Sequence, residues 1–294
     1  MWSLDGVLRY VPVAALQDEQ QKYLVETYGN VMFTPASRDR LKDTVATHWR
    51  GLGLGVSKRG EIVLPDGSQR LRFVALPGVP RELRSIIHDK ATEQTAAGDG
   101  LLEGRVLLDE GFTKDAMRTA LRQRYPLVHI ASHFMFQPGN ESDSFLLLGG
   151  AGGQNARLTV GELKHISFEG VNLLTLSACE TALGGGKANG VEVESFGVLA
   201  QRQGAEAVMA TLWPVADVST PLLMRELYRL REEKSGMTKA EALRRAQLAL
   251  LTGALKLADA KQDSRGLIHG IASAKASFTH PFYWAPFILI GNWK

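Results

Sequence analysis

The chain has one cysteine and seven histidines, and these set its options for covalent chemistry. The cysteine, Cys179, follows the strand-like run Val171–Leu176 through Ser177 and Ala178. One histidine, His133, follows a second such run, Leu127–Ala131, through Ser132. In both places small residues carry a reactive side chain just past the end of a buried strand pattern. Ligands of open parallel sheets bind outside the carboxyl ends of the strands, so this is where chemistry is expected. If the two strands are neighbours, thiol and imidazole meet across one cleft, and a thiolate beside an imidazole is a strong nucleophile at neutral pH. Taken singly, Cys179 reads as a small buried hydrophobe and His133 as a structural histidine. The matched placement of the two favours the pair.

Other constellations fail on spacing. His129 and His133 have an HxxxH interval, but on a strand they stand ~13 Å apart, and the glutamate of an HExxH zinc motif is missing. Gly184-Gly185-Gly186-Lys187 is followed by Ala188, where a phosphate loop needs Ser or Thr for magnesium. Gly149–Gly153 lacks GxGxxG spacing, and no serine sits in a GxSxG elbow. Neither a metal nor a cofactor is expected. A single cysteine leaves no internal disulfide and no cysteine-based zinc site, which fits a reducing cytoplasm. With 34 basic and 31 acidic residues the net charge is +3, too mild to point to nucleic acid. Met1–Gly6 is no signal peptide, and no apolar run reaches the ~18 residues of a membrane span. A cytoplasmic protein away from membranes is the expectation.

The elements that must position His133 and Cys179 read as an α/β fold, short apolar runs alternating with amphipathic helices. Strands are expected at Leu8–Val13, Val31–Thr34, Arg72–Leu76, Arg105–Asp109, Leu127–Ala131, Phe145–Leu148, Val171–Leu176, Ala207–Leu212 and Phe287–Ile290. Thr220 before Pro221 reads as the cap of a helix running to about Lys234. Thr238 with Glu241 reads as a capping box opening Lys239–Ala260. A short helix is expected over Ser195–Gly204. Pro138–Arg157, Leu183–Gly190 and Lys261–Thr279 read as loops, the first two close behind the reactive residues. No linker divides the chain, so residues 1–294 are expected to form one domain.

His-Ile-Ala-Ser-His at 129–133, Leu-Ser-Ala-Cys-Glu-Thr at 176–181 and Leu-Trp-Pro-Val-Ala-Asp at 212–217 resemble the CHAT family of caspase-like peptidases, relatives of caspases and separases. Leu8–Leu16 resembles the family's early strand, Leu76-Pro77-Gly78 with Glu82 its LPG…E turn, and His280–Phe287 its closing segment. The resemblance thus extends over nearly the whole chain. It implies a caspase-like, mostly parallel sheet sandwiched by helices, with His133 and Cys179 as catalytic dyad. They are 46 positions apart (179 − 133), close to the ~50 of caspases. It implies an oxyanion hole from the backbone amides of Phe134 and Cys179. The family commonly has glycine after the histidine, so a turn with positive φ would strain Phe134. In separase-like relatives the segment matching Leu212–Asp217 helps form the first specificity pocket. This implies that Asp217 receives an arginine or lysine side chain, with Trp213 as an apolar wall. Asp217 could instead cap the helix near Thr220.

The function so implied is a cysteine endopeptidase that cleaves protein substrates after a basic residue. Family members usually carry helices or TPR repeats ahead of the first strand, whereas this chain opens almost directly on Leu8. Control by a regulatory protein or a TPR-type repeat partner is therefore expected. The alternative, which Phe134 favours, is a catalytically weak caspase-like scaffold that binds a protein partner.

Overall fold

The computed structural model describes residues 1–4, 8, 11–42, 45, 48–64, 67, 70–92, 100–135, 142–149, 156–177, 191–213, 219–234, 236–255 and 277–294. Their strands, in chain order, are β1 (Val31–Met32), β2 (Gly51–Gly55), β3 (Gly60–Val63), β4 (Arg70–Phe73), β5 (Ile87–His88), β6 (Leu102–Leu108), β7 (Leu127–Ala131), β8 (Phe134–Met135), β9 (Phe145–Leu147), β10 (Arg157–Thr159), β11 (Leu173–Leu176), β12 (Ala207–Thr211) and β13 (Phe287–Gly291). The helices are α1 (Leu24–Thr27), α2 (Val79–Ile86), α3 (Lys114–Leu121), α4 (Val160–Leu163), α5 (Val191–Arg202), α6 (Ser219–Glu233) and α7 (Lys239–Leu251).

Among the described residues, eight strands form one sheet in the order β1-β13-β12-β11-β7-β2-β6-β5. Neighbours from β5 to β12 run parallel; β13 is antiparallel to β12, and β1 is parallel to β13. Every residue of β7, β11 and β12 is buried. Parallel strands covered on both faces need such apolar runs, which is why these three stand out in the sequence. On one face Leu127, Leu173, Met209 and Leu289 pack with α6 and α7. On the other, Val128, Ile130, Leu174 and Val208 pack with α3, α5, the β3–β4 hairpin and the small β10-β9-β8 sheet. This is the mostly parallel, helix-covered sheet expected from the sequence.

The strand β2 was not expected. Its sequence is Gly-Leu-Gly-Leu-Gly, and glycine is depleted in strands. Leu52 and Leu54 point into the core, and the glycines face α2 and Ile87 just after it. A Cβ on Gly55 would lie 2.6 Å from Val79 Cγ1, and one on Gly51 would lie 2.7 Å from Ile87 Cγ1. The missing side chains of Gly53 and Gly55 thus let α2 lie close against the sheet, and that of Gly51 does the same for Ile87.

Several boundaries differ from expectation. The described residues of Leu8–Val13 hold no strand: Val13–Ala15 form a 3-10 turn after Pro12, which has no N–H for a ladder, and Arg9 and Tyr10 lie outside the described residues. Thr220 is not a cap, because Ser219 is already helical; Pro221 falls in the first turn, where its missing N–H costs nothing. Helix α7 does start at Thr238, whose side chain accepts from the Glu241 amide at 3.2 Å. It stops at Leu251 rather than Ala260, since Gly253 (φ 70°) turns the chain out of the helix. Pro138–Arg157 is not loop throughout, as it contains β9 and the start of β10. Helix α5 begins at Val191, ahead of Ser195. Leu183–Gly190 and residues 261–276 lie outside the described residues.

At the amino ends of β11 and β12, Lys239 is buried and donates to Asn172 Oδ1 at 3.2 Å. Asn172 donates to Glu206 Oε2 at 2.6 Å, and Glu206 also pairs with Lys42. Among the described residues no helix is long and apolar enough to cross a membrane.

Candidate active site

The strands that precede the two reactive residues are neighbours. β7 and β11 pair in parallel from Leu127↔Leu173 to Ile130↔Leu176, and the Ser177 amide donates to the Ile130 carbonyl at 2.8 Å. His133 stands three positions past Ile130, and Cys179 three past its partner Leu176. The condition that the two strands be neighbours is met. Cys179 and Asp217 themselves lie outside the described residues.

His133 is only 2% exposed. Its Nε2 is 2.9 Å from the carbonyl oxygen of Val74. A carbonyl only accepts, so Nε2 carries the proton, and in the neutral ring Nδ1 is the basic nitrogen. Phe73 packs on the ring at a centroid distance of 5.3 Å. The segment that carries Val74 is anchored two residues on, where the Leu76 amide donates to the Ser57 carbonyl at 2.9 Å. Ser57 gives its amide and hydroxyl to the Asp109 carboxylate at 2.7 and 2.8 Å. Asp109 adopts φ 48°, a left-handed conformation rare outside glycine, asparagine and aspartate. No residue-type pattern points to Val74, since any residue offers a carbonyl.

Phe134 opens β8 in extended backbone and is absent from the positive-φ residues, so the strain that glycine would relieve does not arise. The Leu147 amide donates to the His133 carbonyl at 2.8 Å, and Phe134 is the next residue, opposite Leu146. In an antiparallel ladder such pairs alternate, so the Phe134 amide is turned away from β9. Its ring is buried edge-on to Phe196 at 5.3 Å.

Trp213 lies two residues past β12 and is half-buried. Its indole N–H donates to the Phe282 carbonyl at 3.1 Å, and its ring stacks on Phe282, which is 44% exposed. It thus has one aromatic neighbour from the closing segment.

His129 does not join His133. It faces α2 and α6, where Nε2 is 3.0 Å from Glu82 Oε1 and Nδ1 is 3.0 Å from the Tyr228 hydroxyl. Among the described residues no group of three His, Cys, Asp or Glu side chains could hold a metal ion.

No curated protein matches the sequence. Among solved structures the chain is similar to an Arg-specific cysteine proteinase, gingipain R, at 12% identity and TM-score 0.44, over 88% of this chain and 50% of that one. It is also similar to the complex of pro- and mature domains of RgpB from Porphyromonas gingivalis, at 12% identity and TM-score 0.45, over 83% and 47%. A third is the separase–securin complex of Saccharomyces cerevisiae, at 13% identity and TM-score 0.47, over 96% of this chain and 14% of that one. The chain therefore spans about half the length of the gingipain chains and far less of separase. The profile of the CHAT domain matches residues 1–292. That span includes both strand ends, the Ser-Ala-Cys-Glu-Thr block and the segment that seats Trp213, and the chain belongs to the CHAT domain family.

Proposed function

We propose that this CHAT chain is a cysteine endopeptidase in which Cys179 is the nucleophile and His133 the base. The observation that carries the reading is the register of β7 and β11, in which Ile130 and Leu176 are paired and His133 and Cys179 each follow by three positions. The tautomer of His133 supports it, since the Val74 carbonyl leaves Nδ1 as the acceptor. In this reading the Cys179 proton passes to Nδ1 and the thiolate adds to the scissile carbonyl. The oxyanion takes hydrogen bonds from the Phe134 and Cys179 amides. His133 then returns the proton to the leaving amine, and water cleaves the thioester.

Asp217 recognises an Arg or Lys side chain before the scissile bond through charge-assisted hydrogen bonds, with Trp213 as the apolar wall. Phe282, stacked on Trp213, supports a rigid wall there. Control by a regulatory protein or TPR-type partner belongs to the same reading. With His133 only 2% exposed, a substrate carbonyl reaches the dyad only after it is uncovered.

That burial also favours the second reading, a scaffold that keeps the fold to bind a protein partner. A thiol-reactive peptide probe ending in Arg separates the two. The peptidase reading expects labelling and peptide cleavage that vanish in Cys179→Ala and His133→Ala, both still folded, and that chelators leave unchanged. It also expects Asp217→Ala to lose the preference for Arg. Cleavage by purified Cys179→Ala would overturn the assignment, and failure of wild type to label, with or without a partner, would favour the scaffold.

A further inference from the structure

Behind the strand ends lies a buried chain of polar groups that the proposed reaction does not use. Glu82, on α2, is 5% exposed, and it accepts from the Ser177 hydroxyl and, at 3.0 Å, from His129 Nε2. His129 Nδ1 is 3.0 Å from the Tyr228 hydroxyl, which is 2.7 Å from Thr175 Oγ1. One assignment of protons satisfies all five groups. Thr175 donates to Tyr228, Tyr228 to His129 Nδ1, and His129 Nε2 and Ser177 both donate to an ionised Glu82. Burial raises the Tyr228 phenol well above its ordinary range, which keeps it a donor. A buried network is retained at low cost only when every member is satisfied, as here.

Its geometry ties it to the dyad at both halves. Ser177 is held twice, through its amide to Ile130 and through its hydroxyl to Glu82, and it stands two positions before Cys179 in the sequence. The segment that carries Glu82 also carries Val74, whose carbonyl orients His133. Between them, residues 76–78 make one turn into α2, with the Val79 amide donating to the Leu76 carbonyl at 3.1 Å. One stretch of nine residues, 74–82, thus grips the imidazole at one end and the strand leading to the thiol at the other. We propose that Glu82 is a positioning residue for the dyad: it holds Ser177, and with it the strand end that leads to Cys179, at a fixed offset from His133. The inference rests on the peptidase reading above. Misplacement of reacting groups by 1 Å costs on the order of 100-fold in rate, so a hydrogen bond that removes such freedom acts on turnover rather than on substrate affinity.

The test uses Glu82→Gln, Ser177→Ala and the double variant, with Ser177→Thr to restore the hydroxyl. Two quantities are read: kcat and KM on an Arg peptide, and the rate of iodoacetamide alkylation of Cys179, the chain's one thiol, as a function of pH. Leu243→Ala, at a buried apolar side chain of α7 that makes no hydrogen bond to the network, supplies a control that loses stability alone. Expected for Glu82→Gln and Ser177→Ala is a fall in kcat of roughly 10- to 100-fold at unchanged KM. The alkylation profile should move up toward that of an ordinary thiol, near pH ~8.5. The double variant should be no worse than the poorer single one, and Ser177→Thr should recover most of the loss. The positioning role is overturned if both singles keep wild-type kcat and alkylation, if the double variant is additive, or if Leu243→Ala at a matched melting temperature does the same damage. Should Glu82→Gln fail to fold, Ser177→Ala alone decides. If wild type itself alkylates as an ordinary thiol, the dyad reading falls and the positioning role with it; a depressed wild-type profile that neither variant moves overturns positioning alone.

Discussion

Lys239 has been taken out of water to 1% exposure, with Asn172 as its hydrogen-bond partner. Burial lowers its pKa to about 7; Glu206 works against that shift, and Arg231 and Lys42 add to it. An unfolded lysine keeps its proton to about pH 10.4. Between these values the unfolded chain binds more protons than the folded one, so the contribution of Lys239 to stability rises with pH through that window. Denaturant titrations of wild type and Lys239→Met at neutral and alkaline pH should show the difference between them shifting by up to about 1.4 kcal/mol per pH unit, with the methionine variant more stable at neutral pH. The same scale decides what could be read in the sequence. Cys179 and His133 are legible because their side chains are chemically distinctive and each follows a strand. Val74 is not, because it acts through its backbone. Glu82 is visible as a letter in a motif, but its partners lie 47 and 95 positions away, and only the folded sheet brings them to it.

At the scale of elements, α2 is placed by what β2 lacks. A methyl on Gly55 would sit 2.6 Å from Val79 Cγ1 and 2.8 Å from Leu83 Cδ1, so α2 would have to lift away. Gly55→Ala should cost about 1–3 kcal/mol in thermal or urea unfolding. It should also lower kcat, because the moved helix carries Glu82. Gly236→Ala serves as the contrast: nothing lies within 4 Å of its added methyl, so it carries only the strain of φ 80° and should leave kcat unchanged. Thr238→Ala removes the cap of α7 and should cost about 1 kcal/mol, read from the same unfolding curves. The strands β7, β11 and β12 were legible because two-sided burial demands apolar runs. β2 was hidden by its glycines, and the ends of α6 and α7 were misjudged because Pro221 and Gly253 act at single positions that an apolar period does not register.

At the scale of the molecule, the sheet order departs from the chain order in one place that matters. β13 is inserted between β1 and β12, pairing with β12 from Ala207↔Gly291 to Thr211↔Phe287 and with β1 through Val31↔Leu289 and Met32↔Ile290. Without it, β1 loses its ladder partner, β12 keeps only β11, and the turn that carries Phe282 to Trp213 loses the strand it leads into. A chain cut before Phe287 should therefore give no cooperative unfolding transition by circular dichroism, while Phe287→Leu should fold with a lowered midpoint. This arrangement also acts as a clock during synthesis. A growing chain leaves the ribosome with His133 and Cys179 while the strand that joins β1 to the rest is still unmade. Until residue 291 has cleared the ribosome, the sheet stays open at β12. On the peptidase reading, a half-made chain would thus be disarmed toward the nascent polypeptides around it, including its own.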